Sequence, residues 1–210
     1  MKIDILNDNP SSWIVNYIPQ LVLELRQFGH EVESYVNKDK LNGGDILCAL
    51  SCERILKRDV LSKYKSTIVA HPSNLPEGKG WSPLAWQILE GKNNIVISLI
   101  EASDKVDSGT IYLQGEIKLS GHELNDEIKK IQFDETKSLV IKYVKSFPIK
   151  GMDQEGEESF YPKFKRTDNR LDINKTIFEQ FNILRIVDND AYPAYFELNG
   201  FTYKLKISKI

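Results

Sequence analysis

The chain has 210 residues, 41% of them hydrophobic and 28% charged, with a formal net charge of −2. That length and balance suit one compact domain with a small appendage, and the lack of a basic excess argues against general nucleic-acid binding. No apolar run is long enough to span a membrane, and the opening Met1-Lys-Ile-Asp-Ile-Leu6 is too short and too acidic for a signal peptide.

In chain order, residues 2–6 read as a strand. Asn9-Pro-Ser-Ser12 is a turn that caps a helix over 13–28, with Ile14, Tyr17, Ile18, Leu21 and Leu25 apolar, a kink expected at Pro19 and a stop at Gly29. Residues 31–36 alternate as a second strand. Residues 45–50 form a third, nearly continuous in apolar residues and so expected to be buried on both faces. A short helix ends over 60–64, and residues 66–70 are a fourth strand running into His71. Such alternation implies a parallel sheet with right-handed crossovers. Residues 83–90 read as a helix opened by Ser82 and Pro83 and stopped by Gly91; residues 95–101 and 110–117 are strands, and 123–147 has helical period. The acidic, glycine-containing stretch 151–159 is expected to be an exposed, mobile linker. Beyond it, residues 175–187 read as a helix and 192–198 with 201–207 as a hairpin about Asn199-Gly200. The expected organisation is an α/β catalytic domain over 1–150, a linker over 151–160 and a C-terminal helix-plus-hairpin extension over 161–210. Phe196, Phe201 and Tyr203 in that extension are expected either to pack on their own domain or to form a homodimer contact.

The chemistry concentrates in His71-Pro-Ser-Asn-Leu-Pro-Glu-Gly-Lys-Gly-Trp-Ser-Pro83 and Val106-Asp-Ser-Gly-Thr-Ile-Tyr112. A single imidazole ends one strand, and a single carboxylate, Asp107, sits in a turn before another. The two are expected at adjacent strand ends, where they form the minimal apparatus for moving a proton near neutral pH. Gly78, Lys79 and Gly80 are either a plain flexible loop or a phosphate cradle, without the spacing of a nucleotide-binding fingerprint. Trp86 is expected to pack the loop onto the sheet, whereas Trp81 is free to stack on a ligand. The run 161–170, with four cations near two aromatics, is either a solvated surface or a contact for an anionic substrate. Cys48 and Cys52 are too few for a disulfide framework or a zinc site; no metal is expected, and a reducing cytoplasm is the expected setting.

From His71 to Leu113 the sequence resembles the folate-dependent formyltransferase family, whose members include methionyl-tRNA formyltransferase, glycinamide ribonucleotide transformylase and the sugar N-formyltransferases. The resemblance rests on His71-Pro-Ser-Asn-Leu-Pro76 with Lys79-Gly80 and Pro83, and on Asp107-Ser-Gly-Thr-Ile111 at the family's spacing. Weaker similarity extends from Asp45-Ile-Leu-Cys-Ala-Leu50 to Arg185-Ile-Val-Asp-Asn189. The variant loop is most similar to compact enzymes of the pseudaminic-acid type of sugar pathway. One position departs: the family's catalytic Asn, two residues before the His, is Val69 here.

The resemblance implies a Rossmann-like, mostly parallel sheet (the formyltransferase fold) and N10-formyltetrahydrofolate as co-substrate. The expected acceptor is the amine of a nucleotide-linked amino sugar; methionyl-tRNA, glycinamide ribonucleotide and a non-catalytic folate- or nucleotide-binding module are the alternatives. It implies proton handling by His71 and Asp107, with Asn74, Ser73 or a protonated His71 replacing the missing donor. By family position the pterin docks near Leu50, Ser51, Cys52 and Leu56 and the turn at Val106. Ser73, Lys79, Trp81, Lys163 and Arg170 are expected on the acceptor, Lys79 with Lys163 or Arg170 at its phosphates.

Overall fold

Strands β1 (Lys2–Leu6), β2 (Glu31–Tyr35), β3 (Gly44–Ala49) and β4 (Tyr64–His71) lie parallel in a computed structural model that describes residues 1–210. Helices α1 (Ile18–Gln27) and α2 (Arg58–Leu61) fall within the first crossovers. The two-residue strand β5 (Lys79–Gly80) and helix α3 (Pro83–Leu89) lead to β6 (Asn94–Glu101) and β7 (Ile111–Lys118). The order of the six-stranded sheet is β2-β1-β3-β4-β6-β7. The parallel expectation holds for the first four strands; β6 then runs antiparallel to both β4 and β7. Helix α4 (Asn125–Ser146), the short β8 (Phe160–Tyr161), α5 (Phe181–Ile186) and the hairpin β9 (Ala194–Leu198) and β10 (Phe201–Leu205) complete the chain. No helix is long and apolar enough to cross a membrane.

Strand periodicity divides the core. Ile3, Ile5, Ile46, Cys48, Ile68, Ile97 and Leu99 pack with Leu21 and Leu25 of α1 and Phe133, Val140 and Tyr143 of α4. The alternate residues Leu6, Leu47 and Ala49 pack with Leu41, Leu56 and Val60. Strand β3 is therefore apolar on both faces, and each fully buried Leu or Ile contributes about 1.5–3 kcal/mol. Pro19 does not kink a long helix. A 3₁₀ turn occupies Trp13–Asn16, and α1 starts afresh with the proline in its first turn, where its missing N–H leaves no bond unmade.

Two expectations about the C-terminal third are corrected. The helix over 175–187 shrinks to α5 after a 3₁₀ turn at Phe178–Gln180. Buried Gln180 accounts for this, because its amide accepts from Asp172 N at 2.6 Å and donates to Asp172 O at 3.0 Å, which wraps 172–180 into a loop. The stretch 151–159 is exposed along most of its length but is no free tether. Met152 exchanges two backbone bonds with Ile111 at 2.8 Å, and β8 pairs parallel to β5. In the hairpin, Phe196 stacks on Tyr203 and joins a small core of Leu171, Leu184, Val187 and Ala194, while Phe201 stays exposed.

One buried ion pair ties that C-terminal unit to the main sheet. Arg185 of α5 is 1% exposed, and its guanidinium donates to Glu123 O and Glu123 Oε2, both at 3.1 Å, and to Asn93 Oδ1 at 3.2 Å. Burial works to raise the Glu123 carboxyl, but the backbone N–H groups around it, those of Ser120 and Gly121 included, outweigh burial and bring it down to about 2. A depressed carboxyl stabilises the fold fully above its ordinary value, and that stability is lost as pH falls through the folded value. Thermal unfolding should therefore show stability falling as pH drops from 4.5 toward 2. Glu123→Gln, which leaves Arg185 buried without its counter-charge, should cost about 3–5 kcal/mol at pH 7 and flatten that acid limb. A cost under about 0.5 kcal/mol, the ordinary scatter of surface changes, would remove the pair from its anchoring role.

Candidate active site

His71 is the last residue of β4 and is 6% exposed. Its Nε2 lies 2.9 Å from Gly78 O, and since a carbonyl only accepts, that nitrogen carries a hydrogen. Its Nδ1 lies 3.5 Å from Asp107 Oδ1, a looser contact with room for a proton to be shared or released. The other carboxylate oxygen, Oδ2, accepts from Gly80 N at 2.9 Å. The two groups meet as expected, but not at adjacent strand ends. Because β6 runs antiparallel to β4, it ends beside the middle of β4, with Glu101 opposite Ile68 and Ala102 N donating to Thr67 O at 2.7 Å. The β6–β7 connection must then fold back over about 13 Å, four residues of strand, to bring Asp107 to His71. Asp107 adopts a left-handed backbone, φ +46°, at the tip of that return.

Three groups from the stretch read as a linker hold this arrangement. Gln154 Nε2 donates to Asp107 O at 2.8 Å and Gly109 O at 2.9 Å. Ser159 Oγ accepts from Gly78 N at 2.8 Å, and Glu158 accepts from Lys79 Nζ at 2.6 Å. Sequence reading missed all three, since an acidic, glycine-containing run carries no periodicity that would reveal a strap.

The polar surroundings of His71 form a row across the sheet. Ser98 lies opposite His71 and Gln114 lies opposite Ser98, so the three side chains share a face. Ser98 Oγ donates to Ser73 O at 2.8 Å, and Gln114 Nε2 donates to Ser98 Oγ at 3.0 Å and to Asn74 Oδ1 at 3.2 Å. Asn74 is exposed, and the bond at its oxygen leaves its NH₂ group free to donate. Ser73 is buried with its Oγ unpartnered, beside the same row. Val69 packs against Leu75, Ile100 and Ile111, which explains its apolar character and places no donor there.

The expected acceptor residues do not all gather. Trp81 is 40% exposed, and Lys163 Nζ lies 4.6 Å above its ring. Trp86 packs not on the main sheet but on the segment at β8, stacking on Tyr161 and donating from Nε1 to Pro162 O at 2.9 Å. Lys79 is corrected: at 1% exposure its ammonium points inward, and Ser108 Oγ and Glu158 already occupy it, so it presents no charge to a phosphate. Arg170 belongs to the C-terminal unit, bridging Tyr195 through its backbone and pairing with Glu197 at 2.9 Å. No contact links it to the His71 loop.

The loop after β3 is organised by two residues between β1 and the turn at Asn9, neither of them singled out from the sequence. Buried Asn7 donates to Leu50 O at 2.8 Å and Ser51 O at 3.3 Å, and Asp8 accepts from Glu53 N at 2.8 Å and Arg54 N at 3.1 Å. Leu50 and Leu56 turn their side chains into the core, so a ligand there meets backbone. Ser51 holds φ +54°. Burial pushes the Cys52 thiol up to about 12, which leaves it protonated and rules it out as a nucleophile at neutral pH. Val106, 42% exposed, lies one residue before Asp107.

Comparison with known proteins bears on this geometry. The family model described as "Formyl transferase" matches residues 11–144. A methionyl-tRNA formyltransferase of Fusobacterium nucleatum is 27% identical over 172 residues, 79% of this chain and 55% of the relative. The chain thus spans about half the length of the curated relatives it matches. Among solved structures, a methionyl-tRNA formyltransferase from Clostridium thermocellum superposes with a TM-score of 0.84 at 18% identity, covering 100% of this chain and 93% of that one. HypX of Aquifex aeolicus in complex with tetrahydrofolic acid gives 0.80 at 21%, covering 99% and 37%. A sugar N-formyltransferase from a Shewanella species gives 0.70 at 15%, covering 99% and 97%. At these identities the likeness is one of fold.

Gly78 and Gly80 generate a test of the site's construction. Both have positive φ, +70° and +95°, and a Cβ on Gly80 would stand 2.6 Å from the backbone oxygen of Tyr161. Gly80→Ala should therefore break the β5–β8 pairing and destabilise the protein by at least about 1 kcal/mol in urea unfolding. An unchanged midpoint would mean that the close approach of the two strands is not required.

Proposed function

We propose, because the chain belongs to the formyl transferase family, that it moves a formyl group from N10-formyltetrahydrofolate to the amine of a nucleotide-linked amino sugar. The observation that carries the reading is His71 Nδ1 facing Asp107 Oδ1 at 3.5 Å, with both side chains largely shielded from water. When bound, the donor supplies an activated formyl carbon and a nitrogen, N10, able to leave with a proton. The backbone-lined loop 50–56, braced by Asn7 and Asp8, suits a flat pterin edge that pairs with main-chain groups. The tetrahydrofolic acid bound by HypX, which shares the fold, supports the choice of donor.

The chain's own groups then have definite tasks. Asp107 Oδ1 takes the proton that the acceptor amine gives up as its bond to the formyl carbon forms. Asp107 Oδ1 hands that proton on to His71 Nδ1, which then faces the oxygen that gains negative charge and passes the proton to the leaving nitrogen as the old C–N bond breaks, leaving both groups as they began. Gly80 N–H keeps Asp107 aimed at the imidazole. Asn74, oriented through its oxygen by Gln114, supplies the amide hydrogen that Val69 cannot. The exposed Trp81 indole offers a face to a planar base, and the Lys163 ammonium beside it a charge for phosphate.

A second acceptor, methionyl-tRNA, is favoured by the names of the Fusobacterium nucleatum relative and the Clostridium thermocellum structure. The net charge of −2 and the single exposed Trp81–Lys163 rim favour the smaller acceptor.

Mass spectrometry of amino sugar nucleotides and of methionyl-tRNA, each incubated with formyl donor, should show one formyl group gained by a sugar nucleotide. Formylation of methionyl-tRNA alone would replace the acceptor, and no product from any amine would remove the transferase reading. His71→Asn and Asp107→Asn should each lower kcat by at least about 100-fold with the fold intact. Either variant turning over at the wild-type rate would dissolve the proton-handling pair. Asn74→Leu should lower kcat about ten-fold without changing stability; an unchanged kcat would leave His71 as the only side-chain donor.

A further inference from the structure

We infer that Lys79 and Glu158 form a positioning pair that fixes the His71–Asp107 geometry from outside the reaction, and that the strap over 152–161 is a working part of the active site. The inference rests on the proton-handling role of His71 and Asp107 given above.

Lys79 is 1% exposed, yet an unpaired ammonium in such a place is costly, so its position has to be held by partners. It has two: Ser108 Oγ at 2.9 Å, in the turn that carries Asp107, and Glu158 Oε1 at 2.6 Å, on the strap. Phe160 adds the face of its ring 6.0 Å away. The side chain thus bridges the Asp107 turn and the strap.

The backbone on either side of Lys79 touches the two reacting groups. Gly78 O accepts from His71 Nε2, and Gly80 N donates to Asp107 Oδ2. Three consecutive residues therefore hold the imidazole, the ion pair and the carboxylate in turn. Their other backbone groups are bonded to the strap: Gly78 N to Ser159 Oγ, Lys79 N to Ser159 O and, one residue on, Trp81 N to Tyr161 O. Gly78 and Gly80 have no room for a Cβ, so the segment lies against its surroundings without slack. A shift of Lys79 moves both glycines, and with them the imidazole and the carboxylate. No other charged side chain is paired with this ammonium, so the Glu158 carboxylate sets its position.

This assignment differs from phosphate binding by Lys79, which requires the ammonium to reach solvent. It also differs from a purely structural bridge, which would affect stability and leave the chemistry of His71 unchanged.

The test uses the full chain with Glu158→Gln and Lys79→Met. Glu158 is 57% exposed, so its replacement leaves the core untouched, and Met fills the volume of Lys79 beside Phe160 without the charge. Two readouts are taken at one pH. The first is kcat and KM for donor and acceptor. The second is the pair of ring ¹⁵N shifts of His71 by NMR, among only 3 histidines in the chain. The expected result is a kcat fall of about 10- to 100-fold, KM values within about three-fold, and displaced ¹⁵N shifts at Nδ1 and Nε2. A raised acceptor KM with kcat retained would return Lys79 to substrate binding and overturn the proposal. Unchanged ¹⁵N shifts, or loss of folding in both variants, would reduce the pair to a structural bridge and overturn it as well. If the wild type transfers no formyl group at all, the proposed function fails, and the ¹⁵N shifts still decide the positioning role by themselves.

Discussion

The antiparallel course of β6 is the constraint from which the rest of the site follows. A parallel β6 would have delivered its following loop to the same edge as His71. Instead β6 delivers it beside Thr67, and the connection has to return toward the end of β4 to bring Asp107 within 3.5 Å of the imidazole. A returning loop has backbone groups to satisfy that no ladder supplies. Gln154 meets that need at Asp107 O and Gly109 O and Ser108 Oγ at Val106 O, while Gly80 N and Lys79 Nζ hold the side chains of Asp107 and Ser108. The strap over 152–161 thus bonds both the returning loop, through Gln154, and the His71 loop, through Glu158 and Ser159.

Much of this was legible in the sequence where local chemistry dominates. The apolar run of β3, the Asn199-Gly200 hairpin and the loop chemistry of His71 and Asp107 each follow from a few neighbouring residues. What stayed hidden depends on pairs distant in the chain. The direction of β6 is not encoded in its own pattern, because parallel and antiparallel buried strands have the same apolar run. Lys79 illustrates the same limit. A lysine between two glycines in a polar loop reads as an exposed cation, and only Glu158, 79 positions away, turns it inward. Gln180 is a third case: its side chain competes with helix formation through bonds to Asp172, which a periodicity count does not weigh.

Val69 shows how a departure from a family pattern is absorbed. The residue is not a hole in the site. It completes an apolar contact with Leu75, Ile100 and Ile111 beneath a polar row that begins at His71 and continues through Ser98 to Gln114. In the proposed function, the hydrogen-bonding capacity that Val69 lacks is supplied by Asn74, on the loop. A donor on a loop is aimed only as well as its anchor, and that anchor is Gln114, at the edge of the sheet.

The strap also redraws where the working unit ends. The recognisable family segment runs from residue 11 to residue 144, within α4, and holds His71, Asp107 and every strand of the six-stranded sheet except β1. Gln154, Glu158 and Ser159 lie past that limit. The recognisable segment and the full set of groups bonded around His71 and Asp107 are therefore different objects. A chimera joined at the end of α4 would inherit every residue named in the motif and lose the groups that hold them in register. Exchange between such proteins is conservative only when the junction falls beyond Tyr161, so the segment most easily mistaken for a spacer marks the smallest portable form of the site.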